Sequence, residues 1–165
     1  MTLAEAAAQA QQLAEAGDER ALADLRRQWD EELEAAARDG DYRVRALAYR
    51  AVAQFRFRQK QELLRRGLED ESPACRGSAL LALEALSRDA PSATNAYRSY
   101  LHELATRDPN APVRRLAILA LRNGSPQRDT ILILQGLADN DDEDKQLRET
   151  ARKVAGDLTR KSRAR

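Results

Sequence analysis

The chain has 165 residues, 42% of them hydrophobic and 33% charged, which fits one globular domain with a core of its own. A formal net charge of +1 argues against bulk attraction to nucleic acid, and the single cysteine excludes an internal disulfide or a cysteine-built metal cage. Uninterrupted apolar runs long enough to span a bilayer are missing, so no membrane association is expected.

In chain order, residues 2–16 read as a helix opened by Thr2 with Glu5 three positions on and stopped by Gly17. The start is acidic and rich in Ala and Gln, unlike a signal peptide, so the expected compartment is the cytoplasm. A second helix covers about 19–38, with Leu22, Leu25, Trp29 and Leu33 on one buried face. Gly40 breaks it before a helix over 44–54. Residues 55–68 follow as another helix, with Phe57, Leu64 and Leu68 inward. Ser72 and Pro73 start the next, which runs to about 87.

After a break at 90–92, residues 95–106 carry Tyr97, Tyr100, Leu101 and Leu104 as a helix. The following helix closes at Asn123, Gly124, Ser125 and Pro126. Residues 129–137 form a short apolar helix, and the acidic loop 139–144 precedes the last one. Residues 161–165 are read as a frayed basic tail. No stretch has the β-branched, turn-bounded look of a strand.

Four stretches share one skeleton: Asp, four residues, an apolar residue, Arg, two residues, Ala. They are Asp39 with Val44, Arg45 and Ala48; Asp70 with Cys75, Arg76 and Ala79; Asp108 with Val113, Arg114 and Ala117; and Asp142 with Leu147, Arg148 and Ala151. The apolar position recurs after 31, 38 and 34 residues. Each Asp stands just before a helix, where its carboxylate can accept free backbone N–H groups. Small residues then repeat at helical spacing, so that a neighbouring helix can lie close. A longer helical segment precedes each copy, making every unit an antiparallel helix pair that needs its neighbours to bury its apolar side.

This skeleton resembles the bacterial kind of HEAT repeat, similar to those in phycobilin lyases, over roughly residues 20–158. The resemblance implies an all-α solenoid of about four to five stacked pairs. Repeat units then fall near 19–54, 55–87, 91–123 and 126–158, in a single domain over 1–160. It also implies a ladder of ion pairs along the stack, made by Asp39, Asp70, Asp108 and Asp142 with Arg45, Arg76, Arg114 and Arg148. The fourth copy departs from the pattern, with Arg152 and Lys153 where the third has Ile118 and Leu119, as a polar terminal repeat requires.

Charge is unevenly spread. Residues 1–40 carry a net of −6, residues 41–128 a net of +7, and the remainder none. Arg56, Arg58, Lys60, Arg65 and Arg66 form the densest basic cluster, either a phosphate or acidic-partner surface or a solvated helix face paired through Glu62. Arg115 has no counterpart in the skeleton, where Ala46, Gly77 and Glu149 stand, and joins them as a binding candidate. Cys75 fills an apolar slot. His102, without a neighbouring Cys or second His, reads as a surface residue. Acids at 140–144 fit helix capping better than calcium, lacking the loop glycine of a calcium motif.

No catalytic constellation, cofactor motif or metal set emerges, so the expected role is a non-enzymatic scaffold for a protein partner. The alternative is a nucleic-acid-binding module using the basic middle, and the oligomeric state is left open.

Overall fold

The computed structural model describes residues 1–164. Ten α-helices and one short 3-10 turn make up its regular structure, with no strand among the described residues. The chain divides into two compact units, Met1–Leu86 and Ser87–Arg165.

The first unit holds α1 (Leu3–Glu15), α2 (Glu19–Ala36), α3 (Tyr42–Gln54), a 3-10 turn (Arg58–Lys60), α4 (Gln61–Leu68) and all but the last residue of α5 (Pro73–Ser87). Thr2 and Glu5 cap α1 reciprocally. The threonine hydroxyl accepts the Glu5 N–H at 3.2 Å, and the glutamate accepts that of Thr2 at 2.7 Å. Ala6, Ala7 and Ala10 are buried, and their small size lets α2 and α3 pack against α1. On α2, Leu22, Leu25 and Leu33 are buried, whereas Trp29, expected in the core, is only half-buried. Gly67 of α4 is close-packed on two neighbours: a Cβ there would lie 2.7 Å from the Ala79 Cβ and 3.2 Å from the Tyr49 ring.

The helix expected from residue 55 begins at Gln61 instead. Phe55 caps α3, Arg56 turns the chain with a left-handed φ of 56°, and Phe57 folds back into the core. The buried Phe55 and Phe57 rings lie 5.4 Å apart. Their mutual burial in the turn competes with helix continuation and wins.

The second unit contains α6 (Ser92–Ala96), α7 (Arg98–Arg107), α8 (Ala111–Leu121), α9 (Arg128–Asp139) and α10 (Lys145–Arg163). Helix α7 packs on α8 and α9 on α10, while α8 and α7 also touch α10 and α9 respectively. The segment expected as one helix over 95–106 is divided at Tyr97, whose φ of −116° and ψ of 18° leave the helical region. His102 is a further correction. It is half-buried, and its Nε2 lies 2.8 Å from the hydroxyl of buried Thr130, so it ties α7 to α9. Burial pushes its pKa below the usual imidazole value.

The stretch read as a frayed tail continues α10 to Arg163. Lys161 Nζ donates to the Arg122 and Gly124 carbonyls, both at 3.0 Å, which holds that last turn in place. Of the expected tail, Arg165 lies outside the described residues.

Candidate interaction surface

The skeleton aspartates sit in the loops that join helices of a pair. Three use the same local turn: Asp39, Asp70 and Asp108 accept the backbone N–H two residues on, from Asp41, Ser72 and Asn110, at 2.8 to 2.9 Å. Asp41 and Asn110 then cap α3 and α8 through their side chains. In the first unit, Arg45 faces two loops at once. Its Nη1 donates to the Asp39 and Gly40 carbonyls of its own loop, at 3.0 and 3.1 Å. Nε and Nη2 fork onto the Asp70 carboxylate of the next loop, at 2.9 and 3.0 Å.

The Arg45 and Asp70 side chains are only 13% and 8% exposed. Burial opposes the charge on Asp70, but Arg45 and the Ser72 N–H outweigh it and hold the carboxyl below its ordinary pKa. Arg76 repeats the own-loop contact, donating to the Asp70 and Glu71 carbonyls at 2.9 and 3.2 Å.

In the second unit the rung is shifted. Arg114 forks onto Glu143, both contacts at 2.7 Å, not onto Asp142. The cause is loop length. Asp108 caps the end of α7 two residues before the α8 cap, whereas Asn140 ends α9 four residues before Asp144 caps α10. Asn140 therefore takes over the turn, accepting the Asp142 N–H at 3.0 Å, and the longer loop brings Glu143 to the guanidinium. The hydrogen bonds from Arg114 hold Glu143 below its ordinary pKa. Arg148 ends the series with a long 3.5 Å contact to Asp141 and a buried Nε that has no hydrogen-bond partner among the described residues.

Two members of the basic cluster, Lys60 and Arg65, are engaged within the fold. Lys60 is 9% exposed, and its ammonium reaches Glu34 at 2.8 Å and Asp30 at 2.5 Å while lying 5.1 Å from the centre of the Phe57 ring. Burial works against that charge, yet the two carboxylates outweigh it and raise the pKa. The expectation that Lys60 offers its charge to a ligand is corrected: the turn at Arg56 directs it onto α2. Arg65 is engaged on α4, at 2.7 Å from Glu62 and 3.0 Å from Glu69.

Arg58 and Arg66 are exposed, and Arg115 is half-buried in the second unit. None of these three side chains has a hydrogen bond or ion pair among the described residues. Arg56 is half-buried in the turn that follows α3. The sequence reading missed Arg26, whose Nη1 donates to the Phe55 and Arg56 carbonyls at 3.3 and 3.0 Å. It also missed Asn140 and Glu143; the Asn two residues before Asp142 was the available signal.

Cys75 is buried, its thiol donating to the Tyr42 carbonyl at 3.2 Å, and burial raises its pKa. Among the described residues no His, Cys, Asp and Glu group is arranged to hold a metal ion, and no helix is long and apolar enough to cross a membrane.

A family model described as HEAT repeats matches residues 31–122, just over half of the chain and the span of the first three skeleton copies. No curated protein matches the sequence.

Proposed function

This chain belongs to the HEAT-repeat family, and from that premise we propose that it is a non-enzymatic, cytoplasmic scaffold binding a protein partner along a face of its helix pairs. HEAT repeats are generally protein-interaction scaffolds. A solenoid of four to five pairs, acting as one domain over residues 1–160, belongs to the same proposal.

The observation that carries the reading is the loop-to-loop lock found in each unit, Arg45 on Asp70 and Arg114 on Glu143. It ties consecutive pairs at a fixed spacing, so that outward side chains are presented on a rigid support. Tyr42, Leu47, Leu81 and Leu132 are large apolar side chains exposed on such helices. A protein partner would cover some of them.

The test is copurification from the native host at low and high salt, repeated with Leu81→Asp and Leu132→Asp. A partner held at defined stoichiometry and released by one of these substitutions supports the scaffold. Elution of the chain alone at low salt, or a partner indifferent to both substitutions and to salt, counts against it.

Exposed Arg58 and Arg66 in the first unit and, separately, half-buried Arg115 in the second support a second reading as a nucleic-acid-binding module. Because Lys60 and Arg65 are committed internally, the two phosphate contacts that Arg58 and Arg66 supply from the first unit would give a salt slope of roughly −2 on duplex DNA. Titration of labelled DNA and RNA at two salt concentrations checks this.

A further inference from the structure

Helices α9 and α10 enclose a groove of about 480 Å³ on the outside of the second unit. The buried Ala138 and Ala155, with Gly156, form its base, and Arg152, Arg160 and Arg163 rim it from α10. Asp139 is the one carboxylate of its lining. Helical spacing puts Leu132, Gly136 and Asp139 on one exposed face of α9, and Arg152, Gly156, Arg160 and Arg163 on one face of α10. Leu132 is 55% exposed, more than any other leucine among the described residues.

Charge on the rim is only partly compensated. Asp157 engages Arg160. Arg152 spends Nη2 on the Ala138 carbonyl, at 3.1 Å, and its other donors stay open. Arg163 is exposed and has no hydrogen bond or ion pair among the described residues. Two guanidiniums therefore stand against Asp139, and the groove is positive.

The glycines bordering it have no explanation inside the chain. A Cβ at Gly67 would collide with its neighbours, but one at Gly136 would meet nothing within 4 Å, and one at Gly156 only the Arg160 Nη1, at an ordinary 3.6 Å. Glycine is a poor residue for a helix interior, and its use on an exposed face is to let another backbone come close. Both walls are helices whose own hydrogen bonds are made, so they offer no free edge to an extended peptide. A helix satisfies its own backbone and can lie on such a base. The α10 face from Arg152 to Arg163 spans about 16 Å, or three helical turns.

We propose that the α9–α10 groove docks an amphipathic helix of a partner protein, its apolar side on Leu132 and the small-residue base and its acidic edge on Arg152 and Arg163. This rests on the scaffold reading and names the partner's chemistry at one face. Guanidinium forks match carboxylates, and the small base admits the helix backbone.

The probe is a fluorescent, hydrocarbon-stapled helical peptide of about four turns, with leucines on one face flanked by glutamates. Its binding to the full chain is followed by anisotropy, beside the same peptide with glutamine for each glutamate and a single-stranded oligonucleotide. Saturable binding of the acidic peptide is expected, at least tenfold tighter than the glutamine form. Arg163→Glu and Gly156→Leu should each weaken it at least tenfold, the first through charge and the second by filling the base. Circular dichroism verifies that both variants fold, and Leu81→Asp in the first unit should leave binding unchanged.

No saturable binding at low salt overturns the groove, as does loss in Arg163→Glu with full retention in Gly156→Leu, which marks loose electrostatic attraction. Oligonucleotide binding without peptide binding overturns it too. So does a dimer of the chain, seen by sedimentation and broken by Gly156→Leu, when the peptide does not bind. A native partner released by Leu81→Asp but retained by Arg163→Glu and Gly156→Leu overturns the groove and leaves the scaffold standing.

Discussion

Replacing Asp70 with Ala removes the carboxylate on which Arg45 is forked and the acceptor for the Ser72 N–H. Both members of the ion pair are largely shielded from water, at 13% and 8% exposure, so the guanidinium left behind cannot be fully rehydrated in place. Breaking one side of a buried pair costs about 3–5 kcal/mol. Arg45 retains bonds to the Asp39 and Gly40 carbonyls, which places the expected loss near the lower end, about 3 kcal/mol.

Asp70→Asn separates the contributions, since it keeps an oxygen for Ser72 and removes only the charge; it should cost less than the alanine. A double-mutant cycle with Arg45→Met isolates the pairwise part. The double variant should be less destabilised than the sum of the singles, because neither charge is then stranded. Urea unfolding followed by circular dichroism measures all four proteins. A loss below about 1 kcal/mol for Asp70→Ala, or strict additivity in the cycle, would refute the claim that this contact locks consecutive pairs.

Gly67→Ala should destabilise by about 1–3 kcal/mol because its Cβ would meet Ala79 and Tyr49, while Gly136→Ala, with open space around it inside α9, should gain roughly 0.5–1 kcal/mol; thermal melts distinguish the two. Asp70 and Glu143 have folded pKa values below their ordinary 3.8 and 4.5, so the stability they provide is complete above those values. It is lost as the pH falls from them through the lower folded values, and melting temperature against pH should show a steeper acid decline in the parent protein than in Asp70→Asn. Arg148→Met should leave stability unchanged or higher, since it removes a buried Nε without a partner, whereas Arg114→Met strands Glu143 and should lower it. Equal losses in the two variants, measured by urea unfolding, would contradict this.

The helical class, the HEAT-repeat character and the position of each inner helix could be read from the chain. Capping residues, small residues and apolar spacing act over one or two turns, and local patterns of that kind survive in a linear sequence. Ala48, Ala79, Ala117 and Ala151 recur at one position of the skeleton and are all fully buried. The Asp-to-backbone turn is equally local, spanning two residues.

Tertiary structure decided what depends on distance across the fold. Residues 55–57 have the composition to extend a helix, and only the burial of Phe55 against Phe57 makes the turn preferable. That turn swings Lys60 onto Asp30 and Glu34 and leaves Arg58 beside Arg26, 32 positions earlier in the chain. The Arg114 partner likewise depends on how far a two-residue-longer loop carries its carboxylates, so Glu143 arrives where counting along the skeleton places Asp142. Charge spacing in a sequence describes which ionic partners are possible. The path of the backbone selects among them, because an ion pair forms only within a few ångströms and its strength depends on how much water the surrounding helices exclude.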